Sequence, residues 1–251
     1  MIFVYLISVV LGLIFGSFLS VVTYRIPKNI SFVKGRSYCP KCKEKISWYD
    51  NIPLISFLLL KGKCRECKEK ISIRYPLVEL LTSISFFLVS LNFYPDISKI
   101  IFYLLIFLIT WAIVIIDFEK GIIPDELTFL GVLISFLYVL LFISNKTFEH
   151  LFSGFAFSIF MLLVHLFTKG KGMGLGDVKF VLFPGIFLSF PMGIIWLFLS
   201  FITGSIVGVI LIFTGKAKFG KPIAFGPFLG VSFMIVLIWG DKLINILMPY
   251  L

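Results

Sequence analysis

Seven stretches of this chain carry no charged side chain and are long enough, or nearly so, to cross a bilayer. They occupy residues 1–24, 80–95, 100–116, 127–145, 150–168, 180–215 and 222–240. A helix needs about 20 apolar residues to traverse the hydrocarbon core. The run 80–95 is short, but a helix beginning near Tyr75 reaches full length if Glu79 sits at the interface. The run 180–215 is long enough for two short crossings and is broken at Pro184-Gly185 and at Phe190-Pro191-Met192-Gly193. It therefore reads as two spans joined by a tight turn. The pattern predicts an all-α polytopic membrane protein of about eight transmembrane helices. A re-entrant segment within 184–193 or 170–190 is the alternative that their glycines and prolines leave open.

Composition agrees. Of the 251 residues, 59% are hydrophobic and 14% charged, where a soluble domain carries about 25% charged residues. A water-soluble or disordered chain is excluded. The net charge of +10 would suggest nucleic acid in a soluble protein. Here lipid is the expected surroundings, no nucleic-acid partner is expected, and the excess marks the cytoplasmic side. With eight spans, loops 25–75, 117–126, 169–179 and 215–221 share one side and hold 20 of the 23 Lys and Arg. Lys99, Lys146 and Lys242 lie opposite. The split puts both termini outside and loop 25–75 in the cytoplasm. No Lys or Arg precedes the first apolar run and no small-residue cleavage site follows it, so 1–24 reads as a retained span, not a signal peptide.

Loop 25–75 holds all four cysteines, as Cys39-Pro-Lys-Cys42 and Cys64-Arg-Glu-Cys67. Two residues between cysteines let both thiolates grip one tetrahedral ion from a single turn, which is zinc-ribbon spacing. Two disulfides are the alternative, but disulfides do not persist in the cytoplasm. A four-cysteine shell leaves no position for water, so the expected zinc is structural. A loop of about 50 mostly polar residues has too little core to fold alone, and metal binding supplies stability. The apolar run Ile52 to Leu60 is too short to cross and is expected to lie on the membrane surface or against the helices.

Acidic residues at membrane segments are costly and are functional candidates by default. Asp117 ends the run 100–116, and Asp177 follows Gly174-Leu175-Gly176. The predicted topology puts both at the cytoplasmic ends of their helices, at similar depth. Two carboxyls within reach of one water can share a proton, because like charges that close do not both ionise readily. The ionised member then takes a proton from water while the protonated one polarises a scissile carbonyl. Gly174 and Gly176 would let a substrate backbone approach beside Asp177. The plainer reading is a loop and a helix-capping Asp. Asp125 after Pro124 reads as a first-turn acid, Glu79 as an interfacial charge, and Lys179 as snorkelling to the interface. His165 reads as packed or bonded to a neighbour, and His150 is placed on the outer side.

The chain also resembles the type IV prepilin peptidases, bifunctional leader peptidase/N-methyltransferases of the GxGD intramembrane aspartyl protease family. The resemblance runs in order through Phe15-Gly16-Ser17-Phe18-Leu19-Ser20, Arg25-Ile26-Pro27, the cysteine loop with Trp48-Tyr49-Asp50-Asn51-Ile52-Pro53, and Arg74-Tyr75-Pro76-Leu77-Val78-Glu79. It continues through Asp117, Pro124-Asp125, Gly172-Met173-Gly174-Leu175-Gly176-Asp177-Val178-Lys179 and Ala224-Phe225-Gly226-Pro227. It implies that Asp117 and Asp177 are catalytic, and that the substrate is a prepilin or pseudopilin of a pilus, competence or type II secretion system. Such a substrate has a basic leader ending in Gly, which is cleaved at the cytoplasmic face of the bacterial inner membrane. It further implies methylation of the new N-terminus from S-adenosylmethionine, with residues 1–92 tied to methyl transfer and 93–251 to proteolysis. Asn51, Arg74 and Glu79 are the methyl-transfer candidates. Ser20 and Asp50 depart from the family pattern, where Asn and Glu are expected, and both fall in the methyl-transfer half. A transporter or proton channel using the aspartates, and a noncatalytic assembly platform, are the competing readings. No inverted repeat favours the first, and the second leaves the glycine-aspartate motif unexplained.

Overall fold

The computed structural model describes residues 1–31, 35, 37–170, 172–216 and 223–247. Lys34, Arg36, Lys171, Lys218 and Lys221, which enter the charge count above, lie outside these residues. The described residues form nine α-helices and no named strand. The chain divides into two compact units, Met1–Leu108 and Ile109–Leu251.

The first unit contains α1 (Ile2–Arg25), α2 (Ile55–Leu59), α3 (Arg74–Phe93) and the leading half of α4 (Ile97–Lys120). α1 and α3 pack along each other. Gly12 and Gly16, one turn apart on α1, make this possible. A Cβ at Gly12 would stand 2.5 Å from Ser83 Cα, and one at Gly16 would stand 2.6 Å from Glu79 Cα. Small residues at this spacing let two backbones meet where apolar burial alone gives little drive, because lipid is as apolar as the helix. The Ser83 hydroxyl adds a hydrogen bond to the Val9 carbonyl across the pair, at 3.0 Å. Leu6, Val10, Ile14 and Phe18 leave an apolar face of α1 exposed, as a lipid-facing helix requires. α3 begins at Arg74, where a full-length second span needs it. The segment Ile52 to Leu60 forms the short α2, and Ile55, Leu58 and Leu59 stand exposed there. That apolar surface suits a membrane interface.

The second unit contains the rest of α4, then α5 (Asp125–Phe142), α6 (Thr147–Phe167), α7 (Leu175–Leu188), α8 (Met192–Phe213) and α9 (Gly226–Leu247). α7 is its pivot and packs against α5, α6 and α9. Beyond Asp177 and Lys179 near its start it is apolar on all sides, and every residue from Phe183 to Leu188 is buried, as expected of a helix enclosed by others. Gly154 of α6 faces Gly185 of α7 so closely that a Cβ at Gly185 would stand 2.8 Å from Gly154 Cα. Phe183, Phe187 and Trp196 meet the ring of Phe233 on α9 edge-on, with centroids 5.7 to 6.3 Å apart. The Trp196 indole donates to the Leu229 carbonyl at 2.8 Å.

The long apolar run is split as its sequence implies. α7 ends at Leu188, Ser189 takes φ 58°, and α8 starts just after Pro191. The two pieces are unequal. Among the described residues, seven helices are long and apolar enough to cross a membrane. α7, with 14 residues, is about 21 Å long at 1.5 Å per residue. A helix buried in protein satisfies its own backbone and has no need to span.

Gly16→Leu is expected to force α1 from α3 at an overpacking cost of about 1–3 kcal/mol. It should lower the melting temperature in detergent, whereas Ile14→Leu on the exposed face should not. Thermal unfolding of both variants checks this.

Candidate active site

Asp117 lies three residues before the end of α4 and is 5% exposed. Its Oδ2 accepts the backbone N–H of Gly226, the first residue of α9, at 2.9 Å. A Cβ at position 226 would stand 2.6 Å from that oxygen, so glycine is required. Pro227 follows, and proline suits the first turn of a helix because it has no N–H to leave unpaired. The positive end of the α9 dipole thus faces a carboxylate.

Asp177 is the third residue of α7 and is 7% exposed. Its Oδ2 accepts the backbone N–H of Gly174 at 3.1 Å. It therefore closes the helix N-terminus from inside the first turn, and Gly174 takes the N-cap position. The capping bond holds the carboxylate in place. Both aspartates line one cavity of about 490 Å³, with Gly174, Gly176, Glu126 and Lys179 on its wall. Gly176 also lets the loop press on α4's continuation, since a Cβ there would stand 3.2 Å from that of Ile123.

The structure gives the partners of Lys179 and of the two histidines. Lys179 is half exposed and paired. Its ammonium bridges both oxygens of Asp125, at 2.8 and 2.9 Å, because the α7 and α5 N-termini both border the cavity. His150 is buried, with Nδ1 2.7 Å from the Ile186 carbonyl in the last turn of α7. His165 is bonded to a neighbour, as its place in a span suggests, with Nδ1 2.7 Å from the Met173 carbonyl.

In the first unit, the four cysteine sulfurs lie within 4.8 Å of one another, and those of Cys39 and Cys67 are 3.9 Å apart. Tetrahedral zinc–thiolate bonds of about 2.3 Å require sulfurs about 3.8 Å apart, so the donor set fits the ion. The two halves are built alike. The Cys39 N–H donates to the Glu44 carbonyl at 2.9 Å, and the Cys64 N–H donates to that of Glu69 at 2.8 Å. Lys43 and Lys68 both take the left-handed conformation, φ 62° and 58°. An internal repeat explains this: Cys39-Pro-Lys-Cys42-Lys43-Glu44-Lys45-Ile46-Ser47 returns as Cys64-Arg-Glu-Cys67-Lys68-Glu69-Lys70-Ile71-Ser72. The sequence reading used the cysteine spacing and missed the repeat. The N–H of Cys42 directed at the Cys39 sulfur favours its thiolate form, against the cost of desolvation.

The methyl-transfer candidates engage separate neighbours. Glu79 is buried, accepts the Leu54 N–H at 2.8 Å and also bonds Ser17. Arg74 donates to the Thr23 hydroxyl at 2.8 Å. Asn51 stands exposed at the end of a short 3₁₀ turn, Trp48–Asn51. In that turn Asp50 receives two hydrogen bonds from Arg65, at 2.6 and 2.8 Å, which hold its carboxyl below the usual carboxylate range. The departure at position 50 is therefore a well-bonded residue that ties the turn to the second cysteine pair.

Residues 10–93 match the bacterial peptidase A24 N-terminal domain, and residues 102–209 match the type IV leader peptidase family. A prepilin leader peptidase/N-methyltransferase of Legionella pneumophila is 32% identical over 97% of this chain and 94% of its own length. One from Vibrio cholerae is 35% identical over 93% and 96%, and one from Pseudomonas aeruginosa is 31% identical over 94% and 90%. No solved structure matches. The first stretch contains the cysteine cluster and the second both cavity aspartates, so with relatives matched almost end to end the chain belongs to the type IV leader peptidase family.

Proposed function

We propose that this chain is an aspartyl peptidase that removes the basic leader of type IV prepilins or pseudopilins after Gly. It works at the cytoplasmic face of the bacterial inner membrane and then methylates the new N-terminus. One observation carries the reading: two buried carboxyls share a single cavity, each fixed by a backbone N–H on Oδ2. Names of relatives matched over nearly the whole chain support both activities, and the positive charge of loop 25–75 supports the membrane face.

The chemistry follows from the geometry. Asp117 and Asp177 hold one proton between them over a shared water. The unprotonated carboxylate takes a proton from the water as it attacks the Gly carbonyl carbon, and the protonated partner donates to the carbonyl oxygen. The intermediate then collapses and the C–N bond breaks. The carboxyl that took the water's proton gives it to the leaving amine, and the hydroxyl proton returns to the other carboxylate. The backbone N–H groups of Gly226 and Gly174 keep both carboxyls in place as the proton moves. Gly174 and Gly176 leave the cavity wall without side chains, where an extended substrate backbone fits. The acidic side chain of Glu126 on the same wall suits a cationic leader.

We assign methyl transfer to residues 1–92 and proteolysis to 93–251, with Asn51, Arg74 and Glu79 as candidates for the former. S-adenosylmethionine supplies an electrophilic methyl group for the freed amine. Buried Glu79 anchors the Leu54 backbone against α1 and α3, which holds the cysteine loop beside these residues. Cys39, Cys42, Cys64 and Cys67 hold a structural zinc that fixes the loop's two halves.

Asp117→Asn and Asp177→Asn are each expected to lower prepilin cleavage by roughly 10³-fold or more. Membrane insertion and methylation of a pre-cleaved pilin should persist. Gel shift and mass spectrometry of the product decide, and cleavage surviving in both variants refutes the assignment. Purified protein should carry one zinc by elemental analysis, and Cys64→Ser should lose it. Zinc should also leave as pH falls, not as it rises, because protons compete with metal for the thiolates.

A further inference from the structure

The chain's two histidines both lie on α6, and both bond backbone carbonyls that flank or end α7. The contact made by His165 has a consequence for Asp177. Its acceptor is the Met173 carbonyl, and the donor to Asp177 Oδ2 is the Gly174 N–H. These are the two ends of one peptide group. A carbonyl oxygen has no proton to give, so the ring carries hydrogen on Nδ1. The sequence of bonds therefore runs from His165 Nδ1–H to the Met173 oxygen at 2.7 Å, through the planar amide, and from the Gly174 N–H to the carboxylate at 3.1 Å.

We propose that His165 is a positioning residue for Asp177, acting through the Met173–Gly174 peptide group. This rests on the reading of Asp177 as catalytic. The amide is rigid, so fixing its oxygen fixes the direction of its N–H. Hydrogen bonds in a chain polarise one another, so the donor bond on the oxygen also strengthens the one the N–H gives to the carboxylate. The surroundings hold the ring in place. His165 occupies the last turn of α6, and its carbonyl accepts the Gly170 N–H at 2.9 Å. Gly170 takes φ 74°, and a Cβ there would stand 3.3 Å from ring Cε1, so the chain turns tightly around the imidazole. Met173, whose carbonyl is engaged, is itself buried.

The test compares His165→Leu with His165→Asn in the full-length protein. Leucine keeps bulk without a donor, and the asparagine amide places N–H near the position of Nδ1. In His165→Leu, kcat for prepilin cleavage should fall on the order of 10-fold or more while KM stays within about twofold, as expected when a reacting group is misplaced but binding is not. His165→Asn should recover most of kcat. A second readout is independent of turnover: the Gly174 amide proton, observed by NMR of glycine-labelled protein, should move upfield in the leucine variant and return in the asparagine variant. Wild-type kcat in His165→Leu, or equal losses in both variants, overturns the proposal. So does loss of melting temperature and of methyl transfer to pre-cleaved pilin together with cleavage, since that marks a folding role. Failure of the wild-type protein to cleave any prepilin in the same assay removes the underlying reading of Asp177 instead.

Discussion

A carboxylate taken out of water must be given hydrogen bonds or it costs several kcal/mol. This chain meets the requirement twice in the same way. Asp117 and Asp177 each receive a backbone N–H from a helix N-terminus or its cap, at Gly226 and Gly174. Much of the second unit follows from this. α9 begins with a residue lacking Cβ, and α7 begins beside the cavity. The two backbone N–H groups are thus as much a part of the cavity as the carboxyls.

Much of the fold was legible because membrane segments announce themselves. Charge-free runs and their breaks located the helices, including the split at Ser189–Pro191. The length of α7 was not legible: hydropathy reports that a segment is apolar, not whether lipid or protein surrounds it. Burial of Phe183 to Leu188 by α5, α6 and α9 is a tertiary fact. At the site, Asp117, Asp177 and the cysteines stood out because acids and thiols are rare among apolar residues. Gly226 did not, since a glycine that serves a residue 109 positions away leaves no local signal. The bonds of Lys179, His150 and His165 were hidden for the same reason. The paired construction of the cysteine loop was available in the sequence, as a nine-residue repeat.

The first unit obtains its order from unlike sources. Close glycine contacts join α1 to α3, metal geometry suits the four cysteines, and the Asp50–Arg65 pair ties the turn between them. Glu79 links these parts, because it lies in the glycine-lined seam and also binds the loop backbone at Leu54. A change at the seam therefore reaches the loop without passing through any cysteine.

The fastening of α7 at both ends has a mechanical meaning. His150 and His165 attach its end and its leading loop to α6, and Gly154 against Gly185 closes the space between them. Asp177 therefore travels with the α6–α7 hairpin, whereas Asp117 is tied to α9 through Gly226. The two carboxyls thus hang from different helices of one compact unit, and α7 packs on α9 as well as on α6. The ring contacts of Phe183 and Phe187 with Phe233 therefore set the distance between the two acids, although none of these rings touches a carboxyl.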